Sequence, residues 1–204
     1  MGEIMSILSK DAFFKLFGSG AFIAEKPLYT SIDDVKALIA LSRTFYPKTV
    51  IEIGIQRGET AKCILDNSPW IEKYIGIDVI PSYQTTLPVQ RGEVPQIAGE
   101  CVKDDPRVEI IVKPNGTRDL VPTDLPAADL IFIDGDHSKV GVALDTLLAR
   151  QVIRKGGIIC WHDYGNHLVP GVTEVIDALN INEGDHICLV EGTMICFQFC
   201  REGQ

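Results

Sequence analysis

Three stretches of this 204-residue chain place side chains at spacings that can do chemistry. Ile133-Asp134-Gly135-Asp136-His137-Ser138 holds two carboxylates and an imidazole within four residues, and Cys160-Trp161-His162-Asp163-Tyr164 adds another imidazole and carboxylate. Carboxylates packed together need a cation, a shared proton or water, and Asp with His can bind a divalent ion. A His near its ordinary pKa can also take a proton from a reacting group. The third stretch, Glu52-Ile53-Gly54-Ile55-Gln56-Arg57-Gly58-Glu59-Thr60, spaces its glycines GxxxG behind a carboxylate. A dinucleotide site wants GxGxxG around a pyrophosphate, which Glu52 would repel. A ligand with a cationic amino group and a sulfonium suits the turn better. Gly54 permits a sharp turn, Gly58 a close approach to ligand, and Thr60 opens a helix whose free N–H groups favour a carboxylate. Asp78, twenty residues beyond Gly58, falls where an acidic residue meets ribose hydroxyls in doubly wound sheets.

These residues need a scaffold that gathers them, and the hydrophobic pattern supplies one. Near-continuous apolar runs predict strands at 49–53, 74–79, 108–112, 129–134 and 157–161, with helices at 60–66, 140–153 and 172–179 between them. Strands at 186–190 and 194–199, joined by Glu191-Gly192-Thr193, read as an antiparallel hairpin. Apolar strands alternating with helices indicate a mostly parallel α/β sheet covered on both faces. Ser31 caps a helix that Pro47 closes, with Asp34 in the capping-box position. Ile4, Ile7, Leu8, Phe13, Phe14 and Phe17 recur at three- and four-residue spacing, predicting an amphipathic helix ended by Gly18-Ser19-Gly20. It serves either to pack on the core or a second subunit, or as a lid. Residues 81–105, with three prolines, form a long irregular loop in which 93–102 has room for a short helix. The division expected is an N-terminal helical lid or packing segment, 1–30, and one ligand-binding domain, 31–204.

The bulk properties set bounds. Hydrophobic residues at 46% and charged residues at 23% describe an ordinary globular chain of one-domain size. A net charge of -9 gives no general attraction to nucleic acid or anionic membranes. No apolar run approaches the roughly 20 residues that span a bilayer. The six cysteines lack CxxC pairs and mostly sit in apolar runs, so free thiols in a reducing cytoplasm are expected. A homo-oligomer is left open.

Glu-x-Gly-x-x-x-Gly followed by an acidic end to the second strand resembles the class I S-adenosylmethionine-dependent methyltransferases, over roughly residues 30–200. The resemblance implies a Rossmann-like, doubly wound, seven-stranded sheet with an antiparallel C-terminal hairpin. It implies S-adenosylmethionine as cofactor, held by Glu52, Gly54, Gly58, Thr60, Asp78 and Asp134. The turn Lys113-Pro114-Asn115-Gly116-Thr117 flanks the adenine in that family, which adds Thr117. The runs Ile131-Phe132-Ile133-Asp134-Gly135-Asp136-His137 and Trp161-His162-Asp163-Tyr164 look like the small-molecule O-methyltransferase branch of catechol and macrolide-sugar type. That branch implies a divalent metal, commonly magnesium, on Asp134, His162 and Asp163, with His137 as general base and a small-molecule methyl acceptor. His162 departs from the acidic residue of the best-understood metal-dependent relatives, and imidazole prefers softer ions. Without a metal, His162 and Asp163 would hydrogen-bond each other and the loop; short of acting as a base, His137 would take a capping or ribose-side role at the start of the next helix. Asp145, in that helix, reads as a structural hydrogen-bonder. Two other readings stay open: a metal-dependent hydrolase or oxygenase on a similar sheet, and a non-catalytic binding protein that keeps the fold.

Overall fold

The computed structural model describes residues 5–18, 20–23, 25–183 and 186–200. Its strands are β1 (Ser6–Leu8), β2 (Thr49–Ile53), β3 (Lys73–Val79), β4 (Val108–Lys113), β5 (Ala128–Ile133), β6 (Ile153–Trp161), β7 (Cys188–Val190) and β8 (Cys196–Phe199). They form one sheet in the order β1-β7-β8-β6-β5-β2-β3-β4. All pairings are parallel except those of β8 with β6 and with β7. The helices are α1 (Lys10–Phe17), α2 (Ile32–Phe45), α3 (Glu59–Asn67), α4 (Lys139–Val152) and α5 (Pro170–Ala178).

Successive strand residues face opposite sides, so each central strand feeds two cores. Ile51 and Ile53 of β2 pack with Val142 of α4 and Val172 of α5, while Val50 packs with Leu38 of α2 and Ile64 of α3. From β2 the chain steps outward to β3 and β4, then returns to β5 on the other side of β2. The carboxyl ends of β2 and β5 therefore flank the crevice where such sheets bind ligands.

α2 starts as its sequence dictates. Ser31 Oγ accepts from Asp34 N at 3.1 Å, and Asp34 Oδ2 accepts from Ser31 N at 3.2 Å. It ends on Tyr46 in the left-handed region, before Pro47.

Two expectations are corrected. The helix predicted from residue 4 starts at Lys10, because Ser9 accepts from Ala12 N and caps it there. The preceding Ser6–Leu8 is extended and pairs in parallel with β7, adding an eighth strand to the seven expected. Ile4 and Ser19 lie outside the described residues. In the 81–105 loop the regular piece is a single 3₁₀ turn, Pro88–Gly92, rather than a helix over 93–102. Among the described residues, no helix is long and apolar enough to cross a membrane.

Phe13 of α1 is fully buried, with its ring 5.8 Å from that of Phe197 on β8. Phe13→Ala is expected to destabilise the fold by about 3 kcal/mol, read as a lower midpoint in urea.

Candidate functional site

One cleft runs along the carboxyl ends of β2, β3, β5 and β6, roofed by residues from the 81–105 loop and from Pro27, Tyr29 and Thr30. At its β2 end, Glu52 is buried and accepts from the Tyr74 hydroxyl at 2.9 Å. Burial, with Asp134 and Asp78 nearby, pushes its carboxyl well above the usual range. Gly54 follows with a φ of 87°. A Cβ there would overlap the Asp134 carbonyl oxygen and crowd Gly135, so this glycine lets the exits of β2 and β5 touch. Gln56 also adopts positive φ, and its N–H donates to Asp78 Oδ2 at 2.7 Å. Burial raises Asp78 to about 6, against the N–H donations from Val79 and Gln56.

Gly58 plays a different part from the one its spacing suggested. Its φ of 83° is left-handed, and a Cβ would meet Val102 and Gly99. The close approach is to the protein's own loop, and Gly58 does not line the cleft. Thr60 does line it, buried at the start of α3, with its hydroxyl 3.2 Å from that of Thr30. Thr117 lines the cleft as well, but its hydroxyl donates to Asp145. Burial raises that Asp145 carboxyl to about 7, and it acts as the structural partner expected.

The second half of the cleft is the Asp/His cluster. Asp134 Oδ1 lies 3.2 Å from His137 Nε2 and 3.1 Å from His162 Nδ1. Asp163 Oδ2 lies 3.3 Å from the same His137 nitrogen and 3.4 Å from the same His162 nitrogen. Burial would raise the Asp134 carboxyl, but His162 and His137 outweigh it and hold it well below the usual range. Both imidazoles are raised in turn: burial lowers them, and the surrounding carboxylates win. Asp163 has a φ of 62°, a strained conformation of the kind that persists where surroundings over-determine it. Asn166 Nδ2 donates to its Oδ1 at 2.7 Å.

Asp136 also lines the cleft but stays out of the cluster. Its carboxylate accepts from Ser138 N at 2.9 Å and pairs with Arg118.

Two residues at this cluster escaped the sequence reading. Asp34 Oδ2 sits 3.3 Å from His162 Nε2, and its other oxygen accepts from Met194 N at 2.8 Å. The capping box explained Asp34 locally and hid this second task. Gln90, buried on the 3₁₀ turn, donates through Nε2 to Gly135 O at 2.8 Å and accepts from His137 N at 3.3 Å. Nothing in an irregular loop marks such a residue.

The sequence profile of a methyltransferase-domain family matches residues 51–164, more than half of the chain, and the chain belongs to that family. The fold agrees. The SAH-bound methyltransferase PaMTH1 of Podospora anserina superposes with a TM-score of 0.61 at 17% identity, over 85% of this chain and 80% of that one. Cofactor-bound Rv0187 from MTB gives 0.60 at 19% identity, over 95% and 88%. The O-methyltransferase TomG of Streptomyces achromogenes, involved in tomaymycin synthesis and in complex with SAM, gives 0.58 at 16%, over 85% and 82%. None of the curated proteins matches the chain. The class I methyltransferase resemblance drawn from the sequence is thus borne out.

Gly54→Ala forces a Cβ into the Asp134 backbone, so it is expected to cost about 3 kcal/mol. Urea denaturation measures it, with Gly92→Ala, where a Cβ meets nothing within 4 Å, as the near-neutral control.

Proposed function

We propose that this member of the methyltransferase-domain family moves the methyl group of S-adenosylmethionine to a hydroxyl oxygen of a small molecule, with a divalent cation assisting. The observation that carries the reading is the continuity of one cleft, with Glu52 and Asp78 at one end and the Asp134, His137, His162 and Asp163 cluster beside them.

The donor half suits the cofactor's polar groups. Glu52 meets the amino group, the first turn of α3 at Thr60 offers N–H groups to the carboxylate, and Asp78 accepts from the ribose hydroxyls. Gly54 keeps the turn clear of the Asp134 backbone, so donor and acceptor halves share a wall.

In the acceptor half, Asp134, His162 and Asp163 each offer one ligand atom, all within 4.8 Å of one another, so the donor set fits a cation. A divalent ion bound there would lower the pKa of the acceptor hydroxyl. His137 Nε2 takes the hydroxyl proton. The oxygen attacks the methyl carbon in line, a C–O bond forms, and the C–S bond breaks with its electron pair left on sulfur. The protein contributes mainly position, fixing two reactants in one cleft. Among the described residues lining the cleft, Arg118 is the one Lys or Arg, and it is paired with Asp136. That favours an uncharged or cationic acceptor over an anionic one. The six free thiols fit a reducing compartment such as the cytoplasm.

Calorimetry with S-adenosylhomocysteine tests the donor half, and no binding at high micromolar ligand sinks the reading. His137→Ala is expected to lower kcat by about 10²–10⁴-fold with that affinity kept. Asp78 is ionised above about 6 and loses acceptor capacity when protonated. Affinity should therefore weaken as pH falls through 6, and Asp78→Asn should bind weakly with that step gone.

A further inference from the structure

His162 sits between three carboxylates, and its ring geometry constrains what can lie beside it. Asp34 accepts from Ser31 N and Met194 N, and its Oδ2 faces His162 Nε2 at 3.3 Å. Those donations stabilise the ionised form of Asp34. The Nε2 contact is attractive only with a proton on Nε2. In a neutral ring that leaves a lone pair on Nδ1. This lone pair is aimed at two anionic oxygens, Asp134 Oδ1 at 3.1 Å and Asp163 Oδ2 at 3.4 Å. His137 Nε2 faces the same two oxygens at 3.2 and 3.3 Å. Lone pairs converging in this way need a cation among them, which is either a proton or a metal ion.

The spacing fits a metal ion. Ligand atoms about 2.1 Å from a shared ion lie roughly 3.0–3.4 Å apart, and His162 Nδ1 lies 3.1 Å from Asp134 Oδ1 and 3.4 Å from Asp163 Oδ2, with all three ligand atoms within 4.8 Å of one another. A metal-binding His donates its other ring N–H to a carboxylate that fixes its tautomer, and Asp34 stands in that position. Magnesium is poorly matched to such a set, because it takes oxygen ligands and keeps several waters. Imidazole nitrogen moves preference toward manganese, cobalt and zinc.

We infer that Asp134, His162 and Asp163 form a site selective for a first-row divalent transition ion over magnesium, with Asp34 fixing the His162 tautomer from behind. This rests on the metal-assisted reading above, and it makes Asp34 a positioning residue. Asp34 also caps α2 and ties down the β7–β8 turn through Met194. Ion loading is thereby linked to the N-terminal part of the domain, far in sequence from the ligands.

The test is titration of the purified metal-free full chain with Co²⁺, Mn²⁺ or Mg²⁺ alone, read by calorimetry and, for Co²⁺, by its visible absorption. One equivalent of Co²⁺ should bind at least about tenfold tighter than Mg²⁺, with absorption bands of nitrogen ligation. His162→Asp should move the preference back toward Mg²⁺. Asp34→Asn should weaken Co²⁺ binding about 10–100-fold while S-adenosylhomocysteine affinity stays unchanged. Ser31→Ala, which removes the cap and keeps the His162 contact, should lower the melting temperature and leave Co²⁺ affinity intact. Equal or tighter Mg²⁺ binding overturns the selectivity. Loss of Co²⁺ affinity in Ser31→Ala as large as in Asp34→Asn overturns the role of Asp34. Failure of every ion to bind, with S-adenosylhomocysteine still bound, overturns the inference and assigns the charge to a proton, leaving the methyltransferase reading standing. If Asp34→Asn does not fold, the wild-type Co²⁺-to-Mg²⁺ ratio and spectrum decide the selectivity alone.

Discussion

The imidazole of His162 is the contact on which the rest of the site depends. Its two nitrogens join Asp34, at the first turn of α2, to Asp134 and Asp163, at the exits of β5 and β6. These residues are far apart in sequence and buried together, where an unpaired charge is expensive. Removing any one of them leaves another uncompensated, so the cluster holds its members in place by mutual need. Asp34 extends the connection to the β7–β8 turn through Met194, and Gly54 extends it to β2 by admitting the Asp134 backbone. The glycine turn and the Asp/His cluster are thus neighbours by construction: the same carbonyl that packs on the glycine turn belongs to the residue whose side chain faces both imidazoles.

The central sheet was legible in the sequence because its strands are buried on both faces. Ile131, Phe132 and Ile133 have no polar side to obscure them, and α2 carries the cap Ser31. The eighth strand was not legible. Ser6–Leu8 is too short to show a period, and its apolar residues line up with the real spacing of α1 to imitate one longer helix. What places it in the sheet is the free edge of β7, a tertiary fact.

The site divided in the same way. Glu52, Gly54, Asp78, Asp134, His137, His162 and Asp163 stand at strand ends, where topology alone predicts convergence, and all of them reach the cleft. Gly58 and Asp136 share those short runs, yet Gly58 does not line the cleft and Asp136, though it lines it, stays out of the cluster. One makes room for Gly99, and the other pairs with Arg118. Spacing locates a turn, whereas the direction of each side chain depends on partners far along the chain. Asp34 shows the converse, since a complete local explanation concealed a partner at the exit of β6.

Gln90 carries a consequence for how such a protein can diversify. Its amide grips the Gly135 carbonyl and the His137 N–H, so the loop over the cleft is fastened to the backbone that presents His137. Loops over a cleft are ordinarily the part of an enzyme that drifts most freely. Here, on the proposed reading, a lineage that altered this loop to admit a new acceptor would also disturb His137, the proposed base. Changes of taste and changes of reactivity would be inherited together, and intermediates along such a path would have to satisfy both.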